Sequence, residues 1–182
     1  MRENRFSLTS IPSFSRGASP RRIGSSTVVE SQAARRSKNL VLKPSFEEKV
    51  ALLKFHPNFN PELIEYLIDK GYKGIVLEGT GLGHVGKSCH EAIGKAVKNG
   101  TVVAMTSQCI WGRVNMNVYD TGRDLLSLGV IPLDDMLAET ALVKLMWALG
   151  QTQNLDDARK LLLTNIAGEF SPRTLSKDET EI

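Results

Sequence analysis

An apolar run that ends in a cluster of glycines constrains the fold of this chain more than any other feature. Residues 74–78 read Gly-Ile-Val-Leu-Glu, and they are followed by Gly79-Thr80-Gly81-Leu82-Gly83-His84-Val85-Gly86 and then by a helical pattern. A strand, a glycine turn and a helix in this order are typical of an open parallel sheet, in which the turn lies at the carboxyl end of its strand and faces ligands. We therefore expect a functional turn at this place in the fold.

Alternating strand and helix patterns on both sides of the turn predict the architecture. The predicted strands are 50–55, 74–78, 101–106 and a brief edge strand at 130–132, and the predicted helical segments are 61–70, 88–98, 121–124, 134–149 and 155–164. This alternation predicts a three-layer α/β/α domain with a small, mostly parallel sheet of about four strands and right-handed crossovers, Rossmann- or flavodoxin-like. We expect Ser88 to cap its helix and Gly150 to end the longest helix.

The excess positive charge of the chain is confined to its first residues. Residues 1–43 contain nine Lys or Arg and two Glu, whereas residues 44–182 contain fourteen Lys or Arg and eighteen Asp or Glu. The Ser- and Arg-rich first segment has too little apolar surface to offset the entropy of ordering. We therefore predict a disordered basic tail at 1–43, a folded domain at 44–174 and a frayed acidic end at 175–182. An organelle transit peptide is the weaker alternative for the tail, because the segment contains acidic residues and lacks helical periodicity.

The composition disfavours several classes of function. The folded part is mildly acidic, which does not favour a nucleic-acid surface there, and no apolar run is long enough to cross a membrane. The two cysteines, Cys89 and Cys109, cannot form a disulfide scaffold or a zinc site, so we expect both to be small buried residues and predict no metal or cofactor. The same cysteine usage favours a reducing, cytoplasmic location. Lys144 and Glu139 are expected on a solvated helix face.

The glycine turn has the Gly-x-Gly-x-x-Gly spacing of dinucleotide sites within residues 81–86. Such a site also needs an acidic residue about twenty residues later to bind a ribose hydroxyl, and this sequence has Ser107-Gln108 there. A non-nucleotide ligand or an interface is therefore the favoured role, and tight strand–helix geometry alone is the simpler alternative. We interpret His84 as a polar contact to a ligand, because no motif supplies it with an acidic partner or a nucleophile.

Residues 107–119 mix polar and large apolar residues without a helical period. Irregular segments of this length are usually functional or interfacial in compact domains. Trp111, Arg113 and Tyr119 belong to residue types that are enriched at the energetic centres of interfaces. The equally weighted alternative is that Trp111 packs this segment onto the sheet.

Three segments in this order resemble the signatures of one known family. The first is Leu-Glu-Gly-Thr-Gly-Leu-Gly-His-Val at 77–85. The second is Ser-Gln-Cys at 107–109 with Gly-Arg-Val-Asn-Met-Asn-Val-Tyr at 112–119. The third begins with Thr-Gly-Arg-Asp-Leu-Leu at 121–126 and continues with the helical segment 135–147. All three are similar to the carboxyl-terminal domain of the L-asparaginase/glutaminase family, from about residue 46 to about residue 172. Within that family they are most similar to the asparaginase-like subunits of archaeal tRNA-dependent amidotransferases.

The resemblance implies an enzyme that hydrolyses a side-chain amide with threonine nucleophiles. In the family these threonines lie in an amino-terminal domain, within Thr-Gly-Gly-Thr and His-Gly-Thr-Asp-Thr motifs, and neither motif occurs in this sequence. We therefore assign no catalytic residue to the chain and expect it to be inactive alone. The implied partners are the missing amino-terminal asparaginase domain or a full-length subunit in a homodimer-type interface, and a tRNA-binding amidotransferase subunit.

The resemblance also implies which residues lie near a site that two chains complete together. His84 falls where some relatives have a substrate-facing asparagine, and Asn117 falls near an interface glutamate. The residues expected to be substrate-proximal or interfacial are Thr80, Gly81, Gly83, His84, Gln108, Trp111, Arg113, Asn117 and Tyr119.

Two other functions and one expectation about the gene stay open at this point. The chain is either part of an asparaginase-like subunit, or a docking module that regulates full-length subunits, or, less favoured, an independent nucleotide-binding domain. A truncated gene would explain why residues 1–43 do not resemble the large domain of the family.

Overall fold

Four parallel strands form the centre of the computed structural model, which describes residues 42–171. They are β1 (Val50–Lys54), β2 (Gly74–Gly79), β3 (Val102–Ser107) and β4 (Ile131–Pro132), and they lie side by side in that order. Each neighbouring pair is parallel. This confirms the predicted small parallel sheet. The predicted tails lie outside the described residues, except for residues 42 and 43.

The helices cover the two faces of the sheet. They are α1 (Glu62–Asp69), α2 (His90–Lys98), α3 (Asp120–Ser127), α4 (Ala138–Gln151) and α5 (Leu155–Leu163). Crossovers between parallel strands share one hand. Because the strands follow one another in sequence order, the three connecting helices α1, α2 and α3 pack on the same face, and α4 and α5 cover the other.

An apolar core lies on each face of the sheet, and alternate residues of the two central strands contribute to the two cores. In β2, Ile75 and Leu77 pack on the side of α1 to α3, whereas Val76 packs on the side of α4 and α5. In β3, Val103 and Ala104 divide in the same way. A strand that is buried on both faces must be apolar at consecutive positions, which explains why these strands are recognisable in the sequence as continuous apolar runs.

The strand order has one consequence for where a ligand can bind. Doubly wound sheets bind ligands in the crevice that opens where the strand order reverses. The four strands within residues 42–171 run in sequence order without a reversal. The turn after β2 therefore lies beside its neighbouring loops, without the crevice that a reversal would create.

Three predicted helix boundaries are wrong, and the reasons are local. The longest helix begins at Ala138 and not at 134 or 135, because Leu137 is extended with a ψ of 149° and Asp134 has a φ of 49°, both outside the helical range. Gly150 lies inside this helix, where a Cβ would come within 2.5 Å of the Ser45 carbonyl oxygen. The helix predicted from Ser88 instead begins with a 3₁₀ turn at Lys87–Cys89 and has no side-chain cap.

Lys144 also departs from expectation. The sequence predicts that Lys144 and Glu139 both lie on a solvated face of α4. Glu139 is exposed, as predicted. Lys144 is only 6% exposed, and its ammonium group lies 3.0 Å from a carboxylate oxygen of Glu169. A lysine of this kind can be buried because an anionic partner offsets the cost of removing its charge from water.

Gly150 provides a test of the packing between α4 and the segment that precedes β1. In a helix interior, alanine is normally favoured over glycine by about 0.5–1 kcal/mol. At Gly150 the added Cβ would collide with the backbone of Ser45 and Phe46, so we expect Gly150→Ala to lower the free energy of unfolding by about 1–2 kcal/mol. Urea denaturation measures the difference. The matched control is Gly94→Ala in α2, where the nearest atom is the flexible end of Leu128 at 3.2 Å; equal stability of the two variants would contradict this packing.

His90 provides a test of the core beneath α2. Burial lowers the pKa of its imidazole, which outweighs the opposing attraction of Asp124, and Lys87 lowers the pKa further. The unfolded chain therefore binds a proton more readily than the folded one below a pH of about 6.5, so that stability falls as the pH is lowered through this value. We expect His90→Gln to lose less stability than the wild-type protein between pH 7.5 and pH 5.5 in urea denaturation. His56→Gln, at an exposed histidine, is the control, and identical pH dependence in all three proteins would exclude a contribution from His90.

Candidate functional site

The candidate site is built where β2 and β3 end at the same level. Gly79, the last residue of β2, is the register partner of Ser107, the last residue of β3. The chain leaves β2 as the glycine turn (residues 80–86) and leaves β3 as the edge loop (residues 108–119), so that the two segments emerge side by side at the carboxyl edge of the sheet. Level strand ends bring together residues that are distant in the sequence.

The glycine turn is closed by hydrogen bonds between Thr80 and His84. The amide of Thr80 donates to the carbonyl oxygen of His84 at 2.9 Å, and the amide of His84 donates back at 3.0 Å. Gly81 and Gly83 have φ angles of +53° and +94°, which side chains disfavour. A Cβ on Gly83 would also lie 2.8 Å from Val114 of the edge loop. The glycines therefore allow both the turn and the close approach of the loop.

Hydrogen bonds tie the edge loop to the glycine turn. The hydroxyl of Ser107 donates to the carbonyl oxygen of Gly81 at 2.5 Å, and the amide of Asn115 donates to that of Leu82 at 2.9 Å. Further along, the amide of Val114 donates to the carbonyl oxygen of Asp134 at 2.8 Å. The two segments thus form one connected surface.

The side chain of Gln108 joins the ends of two strands. Its amide nitrogen donates to the carbonyl oxygen of Phe55, just after β1, at 2.5 Å and to that of Glu78 in β2 at 3.0 Å. Its backbone amide donates to Gly79 at 2.8 Å. Of the residues predicted to lie near a ligand, Gln108 is therefore occupied in holding the strand ends in place.

His84 lies in a small polar cluster with Thr121 and Tyr119. The Nδ1 atom of His84 is 3.2 Å from the hydroxyl oxygen of Thr121, at the start of α3, and the Tyr119 ring meets the imidazole edge-on at a centroid distance of 5.3 Å. The Nε2 atom is buried without a hydrogen-bond partner among the described residues. Sequence reasoning missed Thr121, although its position two residues after Tyr119, at the end of the interface-like segment, was the available signal.

The chemistry open to this cluster is limited. A hydroxyl beside an imidazole is the contact that activates a nucleophile, but the imidazole is usually oriented by a third group. Within the described part of the chain, the second nitrogen of His84 has no such partner. Residues 42–171 also contain no group of three His, Cys, Asp or Glu side chains that would hold a metal ion. The side chains of His84, Thr121 and Tyr119 can each supply a polar contact to another molecule.

Arg113 anchors the middle of the edge loop. Its guanidinium nitrogens lie 3.4 Å from a carboxylate oxygen of Asp134 and 3.5 Å from one of Asp135. One of them also donates to the carbonyl oxygen of Ser171 at 2.5 Å. The sequence predicts Arg113 as an interface residue, and in this structure its charge is used within the chain to position the loop.

Four large apolar side chains of the edge loop are exposed. We name this group the interaction patch, and it consists of Ile110, Trp111, Val118 and Tyr119, whose exposed fractions are 69%, 60%, 48% and 58%. Trp111 therefore does not pack the loop onto the sheet, and its interpretation as an interface residue stays a prediction. Asn117 is also exposed, with its carbonyl oxygen bound by Arg123 at 2.9 Å.

The expected burial of Cys109 is wrong, whereas that of Cys89 is correct. Cys89 is 1% exposed beneath α2, and burial raises the pKa of its thiol. Cys109 is exposed because the chain turns outward directly after β3. The amide of Gly112 donates to the carbonyl oxygen of Cys109 at 2.9 Å, which closes a tight turn that carries Ile110 and Trp111 away from the sheet.

The chain belongs to the glutaminase/asparaginase C-terminal domain family, whose model matches residues 49–162. Among curated relatives, it is 54% identical over 146 residues to the D subunit of glutamyl-tRNA(Gln) amidotransferase from Metallosphaera sedula, an alignment that covers 80% of this chain and 33% of the relative. It is 62% identical over 128 residues to the D subunit from Pyrococcus abyssi, covering 70% of this chain and 29% of the relative. The family resemblance is thereby confirmed.

The fold is similar to that of solved asparaginases. The thermostable L-asparaginase from Thermococcus kodakarensis superimposes with a TM-score of 0.68 at 35% sequence identity, covering 78% of this chain and 44% of that structure. The chain spans about a third of the length of the curated relatives it matches. Within residues 42–171, no helix has the length and apolar character needed to cross a membrane.

Gln108 provides a test of how the site is held together. Replacement by alanine removes two hydrogen bonds and leaves the carbonyl oxygens of Phe55 and Glu78 without this donor. We expect Gln108→Ala to lower the free energy of unfolding by about 1–3 kcal/mol. Asn117→Ala is the control at an exposed position of the same loop, and it should stay within about 0.5 kcal/mol of the wild-type protein. Urea denaturation that shows no difference between the two variants would exclude the bridging role of Gln108.

Proposed function

We propose that this chain acts as the carboxyl-terminal domain of an asparaginase-type amide hydrolase, of the kind found in the D subunits of glutamyl-tRNA(Gln) amidotransferases. In this proposal it contributes a wall to an active site whose threonine nucleophiles come from an amino-terminal asparaginase domain. The completed enzyme releases ammonia from an amide for the formation of Gln-tRNA(Gln), together with a tRNA-binding partner subunit in the cytoplasm. The 182 residues on their own do not hydrolyse glutamine or asparagine.

The observation that carries this proposal is the interaction patch beside the glycine turn. Its large apolar residues are exposed on a loop that is itself held firmly by Arg113, Asp134 and Asp135. Exposed aromatic residues on an ordered scaffold are typical of a surface that a partner covers. The similarity to D subunits of amidotransferases and to an L-asparaginase supports an asparaginase-type domain as that partner.

The proposed roles divide the expected site residues into two groups. Thr80, Gly81 and His84 of the glycine turn, with Trp111, Asn117 and Tyr119 of the edge loop, face the partner in this proposal. Gly83, Gln108 and Arg113 hold the two segments in position through the contacts described above. None of these residues is assigned a nucleophilic role.

Complementation tests the proposal directly. The probe is the Pyrococcus abyssi D subunit from which the segment similar to this chain has been deleted, and the readout is ammonia release from glutamine and asparagine. We expect no ammonia from either protein alone and measurable release when the two are mixed. Trp111→Ala should lower the restored rate by about tenfold or more, because truncating a central aromatic residue of an interface costs about 2 kcal/mol or more. Tyr66→Ala, at an exposed aromatic residue of α1, is the control and should leave the rate unchanged.

Three other outcomes would overturn the proposal in distinguishable ways. Ammonia release by the chain alone that Thr121→Ala abolishes would assign an independent activity to Thr121 and His84. Binding to the intact relative with a change in its rate, but without complementation of the deleted one, would identify a regulatory docking module. Mixtures that show neither binding nor activity would exclude the amino-terminal asparaginase domain as the partner of this chain.

A further inference from the structure

A compact segment follows α5 and leads back to the candidate site. Residues 164–171, which we name the hook, are folded by their own polar groups. The side-chain oxygen of Asn165 accepts hydrogen bonds from the amides of Gly168 and Glu169 at 2.9 and 3.0 Å. One carboxylate oxygen of Glu169 accepts from the amides of Ile166 and Ala167 at 2.8 and 2.9 Å. The hook therefore keeps a defined shape although most of it is exposed.

Lys144 of α4 anchors the first part of the hook. Its ammonium group donates to the carbonyl oxygen of Thr164 at 2.5 Å and to a carboxylate oxygen of Glu169 at 3.0 Å, and it lies 5.2 Å from the ring centre of Phe170. The side chains of Lys144 and Glu169 are 5% and 11% exposed. The ammonium thus has two oxygen acceptors and an aromatic ring around it, which is an arrangement that tolerates burial.

The last residue of the hook is bound from two sides. The amide of Ser171 donates to a carboxylate oxygen of Asp135 at 2.9 Å, and its carbonyl oxygen accepts from Arg113. Arg113 lies in the middle of the edge loop, two residues after Trp111. A continuous series of polar contacts therefore leads from the buried Lys144 to the loop that carries the interaction patch.

We propose that Lys144 and Glu169 are positioning residues for the interaction patch. Their ion pair fixes the hook, the hook presents Ser171 to Arg113 and Asp135, and these contacts hold the edge loop in the conformation that displays Trp111. The mechanical part of this inference concerns this chain alone, whereas its effect on binding rests on the proposed function.

A purely local role for the pair leads to a different expectation. Lys144 places a positive charge at the carboxyl end of α5, which by itself favours that helix. If this were its whole contribution, its loss would weaken α5 without changing the motion of Trp111. The motion of Trp111 is therefore the measurement that separates the two roles.

The experiment uses the full chain with Trp147→Phe, which leaves Trp111 as the single tryptophan. Time-resolved fluorescence anisotropy reports the nanosecond motion of this residue. We expect Lys144→Met to increase the amplitude of that motion about twofold while the circular dichroism of the domain is retained. The matched control is Lys160→Met, which removes an exposed ion pair with Asp157 on α5 and should leave Trp111 unchanged. Unchanged Trp111 motion in Lys144→Met would overturn the proposal.

A second set of variants keeps the test decisive if Lys144→Met does not fold. Glu169→Gln keeps the acceptor for the amides of Ile166 and Ala167 but removes the negative charge, and it should produce the same increase in Trp111 motion. Arg113→Gln cuts the contact at the other end of the hook. Its effect should not add to that of Glu169→Gln, because both changes interrupt one series of contacts. Additive effects would contradict the connection through the hook.

Binding to the truncated Pyrococcus abyssi probe separates this inference from the proposed function. If the wild-type chain binds, Glu169→Gln should weaken binding about fivefold. Increased Trp111 motion with no binding by the wild-type chain would support the positioning role and overturn the proposed function. Binding by the wild-type chain together with unchanged Trp111 motion in Glu169→Gln would support the proposed function and overturn the positioning role.

Discussion

The level ending of β2 and β3 is the constraint on which the site depends. Backbone pairing between Gly79 and Ser107 brings the glycine turn and the edge loop to one place, although they are separated by a whole helix in the sequence. Gln108 then ties this level to the end of β1 through the carbonyl oxygen of Phe55. Because a one-residue shift in register would exchange the two faces of a strand, the buried apolar residues of β2 and β3 also set the geometry of the polar cluster around His84.

The parts of this structure that follow from local chemistry were predictable from the sequence. Strands buried on both faces are apolar without interruption, so β2 and β3 were identifiable as continuous apolar runs in the sequence. The glycine turn was predictable because positive φ angles and close backbone approach both exclude side chains, as Gly81 and Gly83 illustrate. The family was recognisable because three extended motifs occur in order, and the match over residues 49–162 confirms it.

The parts that depend on a distant partner or on the conformation of a turn were not predictable. Lys144 has the spacing of a solvated helix position, and only Glu169, on a segment beyond the next helix, explains its burial. Cys109 follows an apolar strand, and only the turn that Gly112 closes explains its exposure. The late start of α4 depends on the extended conformation of Leu137, and before it Asp134 is left-handed with its carbonyl oxygen bound by the amide of Val114. The contacts of Lys144 and Asp134 join segments that no sequence period relates, whereas the exposure of Cys109 comes from the turn in which it lies.

The contact between Gly150 and the backbone of Ser45 and Phe46 fixes where the segment before β1 packs on the domain. Gly74, the first residue of β2, lies against Leu145 and Leu149 of the same helix, so this contact is at the end of the sheet where the strands begin. The segment that leads into β1 thus packs at the end of the sheet where the strands begin, while the edge loop with Trp111 follows the opposite end of β3. The packing that closes the domain and the apolar side chains that it leaves exposed therefore belong to opposite ends of the sheet.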